Sequence, residues 1–378
     1  MRRLRDTDPV HRPSEGGVVL TRYDDVATVL RDPSFGAGRD ALVEGLRRIF
    51  GEGHAFAYVS RRLTNYDPPD HSRLRGLVNR AFTSRRVQQL RPYIVALADQ
   101  LLDDCDTGDP FDFVARVAHP LPSMVICELL GVPGIDRSAF DRWTSAIAFL
   151  IGPSVPADRQ ADGEAAVAEE WACIDALINQ RRRDPGEDLL SALTAAQDDT
   201  GASLSHDELV ATVIFLFSAG HQTTRDLLGS GVLSLLEHRD EWRRLAEDPG
   251  LAGSTVEECL RYEPPVNFTM RRAMRDTEVA GEPIAAGENV VPVIVAANRD
   301  PRRFTDPDRF DITRADTAPL SFGGGIHFCL GAALARVEAE IVLHGLARRF
   351  PRLTLADNEI QWRETIAFRG PEAVAVIP

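Results

Sequence analysis

The sequence predicts a mainly α fold with a small β portion. Apolar residues recur at helical spacing through most of the chain from Pro69 onward. One segment, Ser205 to Glu237, is long, and its middle, Leu209 to Phe217, is apolar almost all round, as in a helix that crosses a protein interior. Alternation with a period near two appears between Val279 and Val295.

In chain order, Gly17 to Thr21 reads as a strand and Tyr23 to Leu30 as a short helix. Ala41 to Arg62 takes no single element, because Gly51 and Gly53 interrupt any long helix. Ser84 is placed to cap a helix over Arg85 to Cys105, with Leu90, Ile94, Leu97, Leu101 and Leu102 on one face. Helices follow over Pro120 to Leu130 and Asp136 to Leu150, then a loop, Gly152 to Pro156. A long helix from about Asp158 to Arg183 closes at Asp184-Pro185-Gly186. Ser205 and Glu208 make a capping box for the apolar helix. Turns at Gly281-Glu282-Pro283 and Ala286-Gly287-Glu288 divide the small sheet, and a glycine loop at 323–325 leads into a helix from Leu330 to about Phe350. With no repeat, low-complexity tract or linker, residues 1–378 read as one continuous domain.

Composition narrows the function. There are 43 basic and 57 acidic residues, a formal charge of -14, and all the basic ones are arginine. That balance argues against a general nucleic-acid binder, which needs a basic face for phosphates. No stretch approaches the roughly 20 uninterrupted apolar residues of a membrane span. Five dispersed cysteines, Cys105, Cys127, Cys173, Cys259 and Cys329, lack metal-ligand spacing, and no apolar run follows the N-terminal charges. Both point to a reduced, cytoplasmic protein that neither enters a membrane nor binds nucleic acid.

The chemistry concentrates in Phe322-Gly323-Gly324-Gly325-Ile326-His327-Phe328-Cys329-Leu330-Gly331. A cysteine at a helix N-terminus faces unpaired backbone N–H groups, which stabilise a thiolate. Glycines let the backbone approach a flat ligand closely. Taken alone, a buried cysteine is more often a small core hydrophobe. Three further patterns are bland in isolation. Glu258-x-x-Arg261 suits a solvated helix pair, His71-x-x-x-Arg75 suits a surface face, and a mid-helix Thr223 suits back-bonding to a carbonyl.

Together these blocks, in this order, resemble the bacterial soluble cytochrome P-450 family of haem-thiolate monooxygenases. The resemblance runs from Tyr23-Asp24-Asp25-Val26 to Phe368-Arg369-Gly370; family members carry a further segment ahead of the first helix, and this sequence opens almost inside it. It implies a mainly α triangular prism with a small β portion, and haem b as cofactor. Cys329 becomes the axial ligand to iron, with Phe322, Gly323, Gly325, His327 and Gly331 around the haem. His71, Arg75, Arg271 and His327 become propionate ligands, and Glu258, Arg261 and Arg309 a structural ion-pair network. Ala219 and Gly220 lie over the haem, where the helical ladder opens, and Thr223 is the oxygen-activating threonine. The family has Asp or Glu before that threonine, whereas this chain has Gln222. Asp226 shares a helix face with Gln222 and Thr223 and is a candidate to replace the missing carboxylate, the alternative being a pair with a nearby arginine. Phe56, Tyr58, Leu216, Ala219, Val266, Phe268, Val293 and Ile366 are implied pocket walls, suited to an apolar natural product such as a terpenoid or polyketide.

The implied reaction inserts one atom of dioxygen into the substrate. With no dinucleotide fingerprint in the chain, electrons come from a separate ferredoxin or flavodoxin-like donor with its reductase. Arg73, Arg80, Arg85 and Arg336 are candidates to attract an acidic donor. A peroxide-driven oxidase and a haem sensor without turnover remain open at this point.

Overall fold

The computed structural model describes residues 1–132, 135–150, 157–315, 317–356, 359–363 and 365–378. The expected loop over Gly152 to Pro156 lies outside them. The helices that position the site are, in chain order, α1 (Tyr23–Arg31), α2 (His54–Ser60), α3 (Asp70–Ala81), α4 (Ser84–Asp103), α5 (Arg137–Phe149), α6 (Ala157–Arg183), α7 (His206–Glu237), α8 (Ala252–Tyr262) and α9 (Ala332–Arg349). The strands are short, and those nearest the sheet's centre and its hairpin are β1 (Val10–His11), β2 (Val18–Leu20), β3 (Arg271–Ala273), β4 (Thr277–Val279), β5 (Glu282–Ile284) and β6 (Asn289–Pro292).

Two compact units emerge. One holds Met1–Phe35, Arg91–Pro122 and Thr223–Pro378; the other holds Gly36–Leu90 and Ser123–Gln222. Helix α7 runs through both, continuous over its length. Its capping box forms in both directions: the Ser205 N–H donates to the Glu208 carboxylate at 2.8 Å, and the Glu208 N–H to the Ser205 hydroxyl at 3.3 Å.

In the first unit β2 pairs antiparallel with β1 and parallel with β6, and β6 pairs antiparallel with β3. Val18, Leu20, Val26, Val29, Val290 and Ile294 build the core between this sheet and α1. The expected turn at Gly281-Glu282-Pro283 shifts back by one residue. Ala280 and Gly281 take positive φ, as a tight two-residue hairpin demands, and Glu282 and Pro283 belong to β5. The cap expected of Ser84 belongs to Thr83, whose hydroxyl accepts from the Arg86 N–H at 3.3 Å, and α4 ends at Asp103.

Glu338 on α9 is 2% exposed, and burial pushes its carboxyl up to about 8. Below the ordinary carboxylate range this group is protonated whether the chain is folded or not. As pH rises toward 8 the unfolded chain ionises and the folded one does not, so stability falls by about 1.4 kcal/mol per pH unit. Glu338→Gln should therefore raise the melting temperature at pH 8 and leave it nearly unchanged near pH 4. Equal shifts at both pH values would contradict this.

In the second unit α5 packs on α6 through Ala139, Trp143 and Ala166. Helix α2 is capped from outside itself: the Glu164 carboxylate on α6 accepts the His54 and Ala55 N–H groups at 2.6 and 2.8 Å. A Cβ at residue 53 would fall within 2.5 Å of that carboxylate, which explains the glycine there.

Candidate active site

The cysteine loop is shaped by its glycines and by a buried asparagine. Gly323 and Gly325 hold positive φ, at 71° and 62°. A Cβ on Gly325 would come within 2.6 Å of the Leu30 carbonyl of α1, so the loop lies directly on that helix. The Cys329 N–H donates to the Phe322 carbonyl at 2.9 Å and closes the loop. At its entrance, fully buried Asn298 accepts the Leu320 N–H at 2.8 Å and donates to the Ser321 hydroxyl at 2.9 Å. Sequence reading missed Asn298; its signal is a polar Asn-Arg-Asp run ending the apolar stretch Val293 to Ala297.

Cys329 is exposed, and α9 begins three residues later at Ala332, not at Leu330, with Gly331 as its N-cap. The other cysteines differ in kind. Burial pushes the Cys127 thiol up to about 12 and raises those of Cys105, Cys173 and Cys259, which keeps them protonated. An exposed cysteine on a glycine-built loop would suit a thiolate ligand to haem iron better than the four thiols whose burial disfavours the charge.

Behind the loop, Arg261 makes a two-pronged pair with Glu258, at 2.7 and 2.8 Å, with both side chains fully buried. Arg261 also donates to the carbonyls of Asn298, Pro307 and Arg309. The third partner expected at Arg309 is elsewhere. The Arg309 side chain is 58% exposed and faces Asp311, and it is Arg314 whose guanidinium reaches Glu258, at 3.3 Å. Arg309 supplies only its carbonyl, which accepts from both Arg261 and Arg314.

His71 and Arg75 are one helical turn apart on α3, His71 2% exposed and Arg75 half-buried. Arg271 lies on β3, donating to the Met270 carbonyl at 2.8 Å, and His327 ends the short turn Gly325–His327. Among the implied pocket walls, Tyr58 is fully buried with its hydroxyl 3.2 Å from that of Ser218, and Leu216 and Val293 are buried. Ile366 is 66% exposed.

On α7, Ala219, Gly220 and Thr223 follow one another without a break in the helix, so the implied opening of the ladder leaves no interruption. The Gln222 amide donates to the Thr144 carbonyl of α5 at 2.5 Å. Asp226 is fully buried, and both its oxygens accept from Arg363, at 2.9 and 3.2 Å. That engagement is the arginine pairing expected as the alternative to a proton relay. Of the arginines expected at a donor-docking face, Arg73 pairs with Glu208, Arg80 with Asp199 and Arg336 with Glu257, each at 2.5 Å, so their charge is already matched. Arg85 is exposed.

A cytochrome P450 family model matches residues 251–365. Cytochrome P450 107B1 of Saccharopolyspora erythraea is 42% identical over 367 residues, 95% of this chain and 89% of that protein. The chain belongs to the cytochrome P450 family. The polyketide biosynthesis cytochrome P450 PksS of Bacillus subtilis is 37% identical, over 99% of this chain and 94% of that one. The crystal structure of CalO2 superposes with a TM-score of 0.93 at 34% identity, covering all of this chain and 94% of that one. As a cytochrome P450 the protein is a mainly α haem-thiolate monooxygenase with haem b as cofactor. Among the described residues, no helix is long and apolar enough to cross a membrane.

Proposed function

We propose that this cytochrome P450 oxygenates a bulky, largely apolar natural product of the polyketide or terpenoid kind, with Cys329 as the thiolate ligand. The accessible Cys329 on its glycine loop carries the reading. The name of PksS and the buried apolar side chains of Leu216 and Val293 support the substrate class. Haem b, when bound, supplies the iron at which dioxygen is activated, and a thiolate ligand favours O–O cleavage there.

The chain's own residues do the rest. Phe322, Gly323, Gly325 and Gly331 would hold the cofactor beside Cys329, and Ala219 and Gly220 are small enough to admit it. His71, Arg75, Arg271 and His327 would offset the two propionates, which are costly to bury uncompensated. Thr223 would supply the hydroxyl that hands on protons. Gln222 has no proton to exchange and is tied to Thr144, so it fixes the helix and Thr223 takes protons from water. Electrons come from an external donor, a ferredoxin or flavodoxin-like protein.

The test uses the purified holoprotein with ferredoxin, reductase and NADPH, and a panel of macrolactones, terpenes and steroids. A macrolactone or terpene should shift the haem Soret band and yield a product carrying one atom from labelled dioxygen, only with the donor present. Equal product from hydrogen peroxide without donor would overturn the donor-dependent reading. Ligand binding throughout the panel without product would overturn the enzymatic one.

A further inference from the structure

Arg5, in the N-terminal helix Arg2–Thr7, is 2% exposed and takes no part in the proposed reaction. Its guanidinium donates to the Ala296 carbonyl at 2.8 Å, in the helical turn Ile294–Ala297. Burying an arginine for one carbonyl is costly unless its charge is offset. Among the charges around it, the Asp300 carboxylate acts on it most strongly. Asp300 is itself 1% exposed.

The two residues hold segment 296–300, and this segment grips the cysteine loop in two places. Asp300 accepts the Tyr23 N–H at 2.9 Å and so caps α1 from outside, where the preceding residue supplies no side-chain cap. The other end of α1 is the floor of the loop: a Cβ on Gly324 would meet the Arg31 side chain at 3.2 Å, and one on Gly325 the Leu30 carbonyl at 2.6 Å. Asn298 grips the entrance, through the Leu320 N–H and the Ser321 hydroxyl. Asp300 also closes the turn that follows, accepting the Arg302 N–H at 3.0 Å. A shift of residues 296–300 therefore moves both the floor and the entrance of the loop that carries Cys329.

We propose that Arg5 and Asp300 are positioning residues for the thiolate: through segment 296–300 they set where the loop presents the Cys329 sulfur. The proposal rests on the Cys329 reading and adds to it two residues that act only through the loop. Loss of either charge leaves the other buried with less to oppose it, so segment 296–300 loosens toward water and α1 follows. Sulfur is a strong donor only as a thiolate, and a loop free to shift lets it take up a proton and cease to be that ligand.

The experiment compares holoprotein of the wild type with Arg5→Met, Arg5→Lys and Asp300→Asn. Val376→Ala, in the fully buried middle of the C-terminal strand Ala375–Ile377, serves as a control that lowers stability away from the loop. Each is reduced under carbon monoxide at the same interval below its own melting temperature, and the decay of the band that reports a thiolate ligand is followed. Arg5→Met and Asp300→Asn should lose that band about tenfold faster than Val376→Ala, the usual scale for a buried charge-assisted hydrogen bond. Arg5→Lys should keep most of the wild-type lifetime. Hydrogen exchange of the amides of 320–331 should quicken in Arg5→Met and Asp300→Asn while that of α6 stays the same. Decay within about twofold of the control would overturn the proposal even if both variants melt early, because the two residues would then be merely structural. Should Asp300→Asn not fold, Arg5→Met decides alone. A wild type without the band would fail the Cys329 reading instead, and unchanged exchange over 320–331 would overturn the positioning claim by itself.

Discussion

Cys329→Ser is expected to abolish monooxygenation, whereas serine at Cys105, Cys127, Cys173 or Cys259 is expected to leave the chemistry in place. The asymmetry has a physical cause. A thiolate is the ligand, and a thiol buried among apolar groups pays the desolvation of its charge before it can bind iron. Burial raises the other four thiols, most of all the fully buried Cys259, while Cys329 is open on a loop closed by its own N–H. A serine hydroxyl keeps the volume but not the soft, anionic donor that favours O–O cleavage. Product analysis by mass spectrometry checks this; full turnover by the Cys329 variant would refute it.

Arg261→Ala should cost about 3–5 kcal/mol of stability, because it leaves the Glu258 carboxylate buried with most of its charge uncompensated. The upper end is expected. Arg261 also satisfies the carbonyls of Asn298, Pro307 and Arg309, and no water reaches a side chain that is 0% exposed. Arg314 remains 3.3 Å from Glu258 and offsets part of the loss. The effect should spread to the site, since Asn298 also holds Leu320 at the entrance of the cysteine loop. Denaturant unfolding should show a lower midpoint at unchanged slope, together with weaker haem retention. Arg309→Ala, which removes an exposed side chain, should do little; equal losses from the two variants would contradict the assignment of partners.

Periodicity made the long helices legible, α7 above all, because an apolar run with a capping box has few other structures open to it. Local rules failed where backbone geometry one residue away decided the outcome. Thr83 caps in place of Ser84, and the turn sits on Ala280-Gly281 because a tight hairpin needs positive φ at both positions. In the site, motif spacing located the cysteine loop and the Glu258–Arg261 pair. It could not decide between Arg309 and Arg314, five residues apart, because only the turn geometry says which guanidinium points inward. Nor could it tell a free carboxylate from an engaged one: the partner of Asp226, Arg363, is 137 residues away in sequence. Gln222 is similar, since its Thr144 acceptor lies on another helix.

The central claim is that Cys329 binds haem iron as a thiolate, and the carbon monoxide difference spectrum of the reduced protein tests it most directly. The wild type, and each variant with serine at Cys105, Cys127, Cys173 or Cys259, should show the band at the wavelength that names the family. Cys329→Ser should lose that band while any haem it retains absorbs at shorter wavelength. The band persisting in Cys329→Ser, or vanishing on loss of one of the other cysteines alone, would contradict the account.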